Sequence, residues 1–262
     1  MRIFFVTLVL AIVAFLVAPT LIVVPMSFSA NAYMKFPPTG FSLRWYAEFF
    51  TSVEWLRATW SSIKIASLTT LLSVLLGAPA AWALTWKRVP AARFFNALIM
   101  WPLAAPVIVI ALGLYGMMVS LHLLDTVWGL AIAHTVLGVP FVVITLSAAF
   151  RTLDPAADEA ARNLGATPLQ SFVHVILPQV VPALSAGALF AFITSWDELI
   201  MALFLSGTSE RTLPRQMWST ILFNRDPTLA AVSTLLLALT VVGYLLIISL
   251  RRALAISRQP RG

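Results

Sequence analysis

The chain has 262 residues, 60% of them hydrophobic and only 10% charged, with a mean hydropathy of +0.94; soluble domains carry roughly 25% charged residues, so this composition excludes one and describes an integral membrane protein. The formal net charge of +7 does not point to nucleic acid, because the basic residues flank apolar runs and form no stripe interleaved with aromatics. The absence of cysteine removes disulfides, thiol nucleophiles and Cys-ligated metals.

Arg2 precedes an apolar run from Ile3 to about Met26. About 20 such residues cross a bilayer, whereas a signal-peptide core has roughly 7–15, so a retained first span is predicted despite the cleavage-like Ala30-Asn31-Ala32. Residues 27–58 are polar and aromatic, with a turn at Pro37-Pro38-Thr39-Gly40 and with Trp45, Tyr46, Phe49 and Phe50 suited to a membrane interface. The second span is expected from about Thr59 to Trp86, ending at Lys87-Arg88. Near its outer end Lys64 either snorkels to headgroups or lines a pathway.

The third span, about Phe94 to Val119, contains Pro102, Pro106, Gly113 and Gly116. Such residues are tolerated where neighbouring helices cover the loosened backbone, which places this span inside the bundle. The fourth runs from about Val127 to Phe150, and its His134 faces either the bundle or the pathway. A polar segment, 151–179, leads to a fifth span from about Val180 to Leu205. Residues 206–228 are polar, a sixth span follows from about Leu229 to Leu250, and a basic tail completes what reads as one transmembrane domain.

Six spans put both termini on one side. Of the 17 Lys and Arg, ten fall on that side (Arg2, Lys87, Arg88, Arg93, Arg151, Arg162, Arg251, Arg252, Arg258, Arg261), six on the other (Lys35, Arg44, Arg57, Arg211, Arg215, Arg225), and Lys64 within a span. Basic residues accumulate in cytoplasmic loops, so the termini and segment 151–179 are expected in the cytoplasm.

Within that segment, Asp154 and Pro155 read as cap and first residue of a short helix, with Asp158 and Glu159 near its positive end. Gly165 can take the left-handed conformation that closes it, and Thr167-Pro168 opens a second short helix. Ala156, Ala157, Ala160, Ala161 and Leu164 share one face, smooth enough for another backbone to approach. Leu169, Phe172, Val173 and Ile176 form a bulkier stripe on the second helix.

No GxxxxGK[ST] phosphate loop, HExxH or GxSxG occurs, and His122, His134 and His174 have no metal-ligand spacing. The costly residues are Asp197 and Glu198, the former about 12 Å inside the fifth span at 1.5 Å per residue. A lone carboxylate in lipid costs at least about 2–3 kcal/mol, which marks a pathway by default, and Trp196 beside it offers a π-face to an ammonium. Three bland readings compete: pairing with Lys64, pairing with a partner subunit, or capping a broken helix at Ser195.

Glu159-Ala160-Ala161, Gly165 after three more residues, then Val175, Ile176, Leu177 and Pro178 resemble the EAA loop of the membrane subunits of ABC importers. Val175 stands where the family pattern has Ile. The resemblance implies an all-α, six-span type I importer (MetI-like) permease fold in the inner (plasma) membrane of a bacterium. It implies an elbow comprising Asp158, Glu159, Ala160, Ala161, Leu164, Gly165 and Ala166 that docks on a separate ATPase. It further implies two ATP-binding subunits that hold ATP and Mg, with no cofactor in this chain, a second and different permease, and an extracytoplasmic solute-binding protein.

Phe36 to Tyr46, Pro140-Phe141-Val142-Val143, Ser195-Trp196-Asp197-Glu198, and Gly207 with Leu213-Pro214 resemble the second permease of polyamine-type importers. Iron, thiamine and opine importers share several of these pieces. The expected pathway residues are Trp196, Asp197, Glu198, His134 and Lys64. Two other classes compete: an ion-gradient-driven carrier, disfavoured by six spans without a repeat, and an intramembrane enzyme using Asp197, Glu198 and His134.

Overall fold

The computed structural model describes residues 1–86, 89–223 and 226–257, with side chains throughout except at 244 and 246–257. Lys87, Arg88, Arg225, Arg258 and Arg261, on which part of the charge bias rests, lie outside the described residues. No strand occurs among the described residues beyond an isolated bridge between Ser29 and Phe41. The chain divides into two compact units, one of Arg57–Gln216 and one that joins Met1–Leu56 to the residues from Met217 onward.

In the second unit, α1 (Arg2–Ser27) is exposed over almost its whole apolar length. A short amphipathic helix, α2 (Arg44–Thr51), lies within the segment expected at a membrane interface. Trp45 is buried and donates its Nε1–H to the Ser29 carbonyl at 2.8 Å, with the Arg44 guanidinium 4.0 Å above the ring. Such a ring buries its body while one polar handle stays satisfied.

The long helix α3 (Val53–Trp86) begins six residues before the expected second span. Where one third span was predicted, the structure has α4 (Ala92–Ala104) and α5 (Val107–Ser120), bent by 105°. The cause is Pro106, which has no amide to donate and holds Ala105 in an extended conformation (ψ 142°).

The helix α6 (Val127–Thr152) starts at Thr126, whose hydroxyl accepts from the Gly129 amide at 3.0 Å. It is the axis of the first unit. One buried cluster joins its N-terminal half to α3 and α5 through Ile65, Met118, Leu130 and Leu137. Another joins its other half to α3 and the following span through Ala81, Val142, Val143, Leu146 and Phe150. Apolar side chains gain little by leaving lipid for protein, so close packing must hold such helices together.

After α6 come α7 (Pro155–Asn163), α8 (Pro168–Ser171), one π-helical turn (Phe172–Ile176) and α9 (Leu177–Trp196). Gly187 shows how closely α9 lies on α6: a Cβ there would run into Thr145 Oγ1 and the Val142 Cα. The fifth span was expected to be continuous to Leu205, but it stops at Trp196 and resumes as α10 (Ile200–Leu205). The chain ends with α11 (Leu213–Phe223), inside the segment read as polar loop, and α12 (Thr228–Ser257), the expected sixth span.

Among the described residues four helical stretches, Arg2–Ser27, Val53–Trp86, Val127–Thr152 and Pro168–Trp196, are each long and apolar enough to cross a membrane, or five where the bent pair is counted as one span. Among the described residues of α12, the apolar stretch is Thr228–Gly243.

Candidate functional site

The elbow is assembled from local signals. Asp154 caps α7 by accepting from the Ala156 amide at 2.9 Å, and Pro155 fills the first position, where no donor is needed. At the other end Gly165 takes φ +93°, Ala166 N–H reaches the Ala161 carbonyl and Gly165 N–H the Arg162 carbonyl. This paired closure satisfies the last carbonyls of α7 and turns the chain sharply. Thr167 and Gln170 then form a reciprocal cap for the next helix.

That next helix differs from the expectation of a second short helix. Helical backbone runs on from Pro168 through the π turn into α9, so the far arm of the elbow is the beginning of a membrane span.

One side chain braces the two arms. Asp158 Oδ1 accepts from Arg162 Nε at 3.1 Å and from Ser171 Oγ at 2.5 Å, and Ser171 is fully buried. Asp158 was grouped with the ATPase-contacting residues, but its carboxylate points into the elbow's own scaffold. Glu159, Ala160 and Gly165 are exposed, Ala161 and Ala166 half-buried, and Leu164 is 90% and Leu169 71% exposed. Behind the arms lies an apolar cavity of about 790 Å³ bordered by Trp82, Trp86, Phe150, Phe172 and Ile176. Trp82 meets Phe172 edge-on, and Trp86 donates to the Phe150 carbonyl at 3.0 Å.

The second region is the break between α9 and α10. Trp196 is half-buried and stacked on Phe192 (centroids 6.0 Å, 14° between planes), whereas Asp197 is exposed at the helix end. Glu198 is buried and caps α10, accepting from the amides of Ile200 (3.0 Å), Met201 (2.7 Å) and Ala202 (3.3 Å). His134 is 1% exposed, with Nδ1 2.8 Å from Ser195 Oγ and Nε2 3.8 Å from Glu198 Oε2. Lys64 does not pair with Asp197; it meets Glu210 at 3.5 Å, while Ser61 Oγ donates to the same carboxylate at 2.6 Å. Of the five expected pathway residues, the structure gathers Trp196, Asp197, Glu198 and His134 at the break and leaves Lys64 elsewhere.

Sequence reading missed Asp125, in the turn between α5 and α6. Its carboxylate accepts from the amides of Gly207 (2.7 Å), Ser209 (3.0 Å) and Glu210 (2.9 Å). Partial burial pushes this carboxyl upward, but the backbone donors together outweigh it and hold the group below its ordinary range. No local pattern marks it, because its partners lie more than eighty residues away. No cluster of three metal-ligating side chains occurs among the described residues.

The elbow and the break belong to a helical chain whose apolar stretches are long enough to cross a membrane. Residues 73–257 match the model of the family described as binding-protein-dependent transport system inner membrane component, and the chain belongs to that family of permease subunits. It is 33% identical over 242 residues to the putrescine transport system permease protein PotI of Escherichia coli K12, covering 88% of this chain and 85% of PotI. It is 29% identical over 232 residues to the spermidine/putrescine transport system permease protein PotC of the same organism, covering 88% of each. A solved bacterial ABC transporter involved in import of the acidic polysaccharide alginate shares the fold, with a TM-score of 0.73, 20% identity and 96% coverage of both chains.

Proposed function

We propose that this chain is one of two different permease subunits of an ATP-driven polyamine importer, with its elbow and both termini in the cytoplasm. Of two ATP-binding subunits, one grips the alanine face of α7 and the projecting Leu164. An extracytoplasmic binding protein delivers solute to residues 27–58 and 206–228. Within the membrane, the exposed carboxylate of Asp197 and the face of Trp196 contact the cationic solute. The reaction is vectorial transport with no covalent change.

The observation that carries the reading is the exposed elbow continuous with a span: a push on α7 passes through the Asp158 brace into α9, because no flexible linker intervenes. The polyamine assignment draws on the names of the two relatives and on the exposed acidic group at the break. Tagged chain from native membranes is expected to co-purify an ATPase and a different permease. Reconstituted with the cognate binding protein, the complex is expected to import putrescine or spermidine only with ATP. Orientation has its own check, since the chain is free of cysteine: a Glu159→Cys variant labelled by an impermeant thiol reagent in intact cells would overturn the cytoplasmic elbow. Uptake of another solute class, with none of polyamine, would replace the substrate and leave the permease role standing.

A further inference from the structure

One chain of buried side-chain hydrogen bonds ties three helices together at the α9–α10 break. Thr69 on α3 donates its Oγ1–H to the Ala131 carbonyl of α6 at 3.2 Å, and Ser195 on α9 donates to Thr69 Oγ1 at 3.2 Å. Both hydroxyl protons are then assigned. The bond between His134 and Ser195, 2.8 Å, must therefore use Nδ1–H of the imidazole as donor and Ser195 Oγ as acceptor. That fixes a proton on Nδ1 and the ring's orientation: Nδ1 holds the last turn of α9, and Nε2 faces Glu198 Oε2 at 3.8 Å, outside hydrogen-bond range.

The Glu198 carboxylate is itself held by three backbone amides of α10. The imidazole thus stands as a wedge, bonded to one side of the break and pressed against the cap of the other. Between the residues it touches lie only Trp196 and Asp197, one half-buried and the other exposed. Polar groups buried within a span are costly unless satisfied, and the network satisfies Thr69, Ser195 and His134 Nδ1 where the span is interrupted, while Nε2 has no hydrogen-bond partner among the described residues.

We propose that His134 is a positioning residue for translocation: by wedging Ser195 from Glu198 it fixes the direction in which Asp197 leaves the break. The inference rests on the pathway reading of Asp197, and its test reads the placement of position 197 directly, so the two can fail separately. Unchanged polyamine uptake by Asp197→Asn would sink the pathway reading alone.

The assembled transporter is prepared in native membranes with a single introduced cysteine, Asp197→Cys, or with Ser120→Cys, exposed at the end of α5, as a control. The modification rate by a cationic thiol reagent is measured with His134 intact, with His134→Leu and with His134→Gln. Loss of a buried hydrogen bond shifts such local equilibria by about tenfold, and that change is expected at position 197 in His134→Leu, with no change at position 120. His134→Gln, whose amide can donate to Ser195 again, is expected to return the rate to within about twofold of the original. Should His134→Leu fail to assemble, Thr69→Val cuts the same chain from its other end with almost no change of volume, and a changed rate at position 197 is again expected. Equal rates at position 197 in all backgrounds overturn the proposal, and so does an equal shift at both positions, which would mean general loosening.

Discussion

The elbow at Asp154–Pro178 and the break at Ser195–Ile200 both interrupt helices, and they are made of opposite materials. Local caps close the elbow: Asp154, the Gly165 turn and the Thr167–Gln170 pair each act on amides within five residues. The break is closed by side chains from three helices, with partners 61 and 126 residues apart in the chain. One is a rigid handle on the surface, the other a fixed notch in the interior. A device that receives force from another protein has to be exposed and locally stiff, whereas one that orients a group in the membrane has to be buried and held by its neighbours.

The largest expected effect tests the handle. Gly165→Val puts a β-branched residue at φ +93°, and the left-handed region costs ordinary residues about 1–2 kcal/mol and β-branched ones more. The elbow's angle should change while the spans insert normally. ATP-driven uptake is expected to fall by more than about tenfold, on the 1.4 kcal/mol-per-decade scale, with ATP hydrolysis no longer stimulated by the loaded binding protein. Normal coupling in this variant would break the comparison at its first term.

Next in size is a pair of neighbours that should behave differently. Glu198→Ala removes the acceptor for three amides, and the loss of such a cap costs about 0.5–2 kcal/mol. A lower melting temperature of the solubilised protein is the expected outcome. Asp197→Asn breaks no side-chain bond among the described residues, so stability should stay put while uptake of a polyamine falls. If both variants lower stability alike, or neither alters uptake, the division between a structural Glu198 and a solute-facing Asp197 is lost.

A smaller effect sharpens the account of the handle. Ser171→Ala deletes one donor on Asp158 and leaves Arg162 in place. A hydrogen bond to a charged group contributes about 1.5–3 kcal/mol when intact. The arms should loosen without separating, visible as about twofold more ATP hydrolysed per solute imported. An unchanged ratio would mean the arms are held by packing, through Phe172 against Trp82.

The same contrast explains what could be read in advance. Asp154, Pro155, Gly165 and Thr167 announce themselves because capping chemistry operates over one helical turn, and the structure places each where that chemistry demands. The spans were visible as apolar length, yet the bend at Pro106 was not: proline is tolerated inside many spans, and only the surrounding packing decides between a kink and a 105° turn. At the break, the cost of a carboxylate in a span drew notice to Asp197 and Glu198 without separating them. Glu198 turns back to the amides of Ile200, Met201 and Ala202, while Asp197 projects, a difference set by where α9 ends. Ser195 stood out only as the edge of a possible break, and Thr69 carried no signal, being an ordinary residue until Ser195 meets it.

Asp125 gives the smallest expected effect and extends the comparison to a third kind of construction, a side chain that stands in for a cap across two loops. Its carboxylate gathers the amides of Gly207, Ser209 and Glu210 and so fastens the turn before α6 to the segment after α10. Because its folded pKa lies below the unfolded value of about 3.9, ionisation favours the folded state. That contribution is fully present above the unfolded pKa and is lost as pH falls through the folded one. Asp125→Asn should lower the melting temperature by a few degrees at pH 7, where the native carboxylate is charged. Below about pH 4 the gap between variant and native protein should narrow, since the native group is then taking up its proton. Melting curves of the solubilised subunit across that range measure it. A gap that stays constant with pH would assign Asp125 the role of a neutral acceptor, and the two loops would then be joined by shape instead of charge.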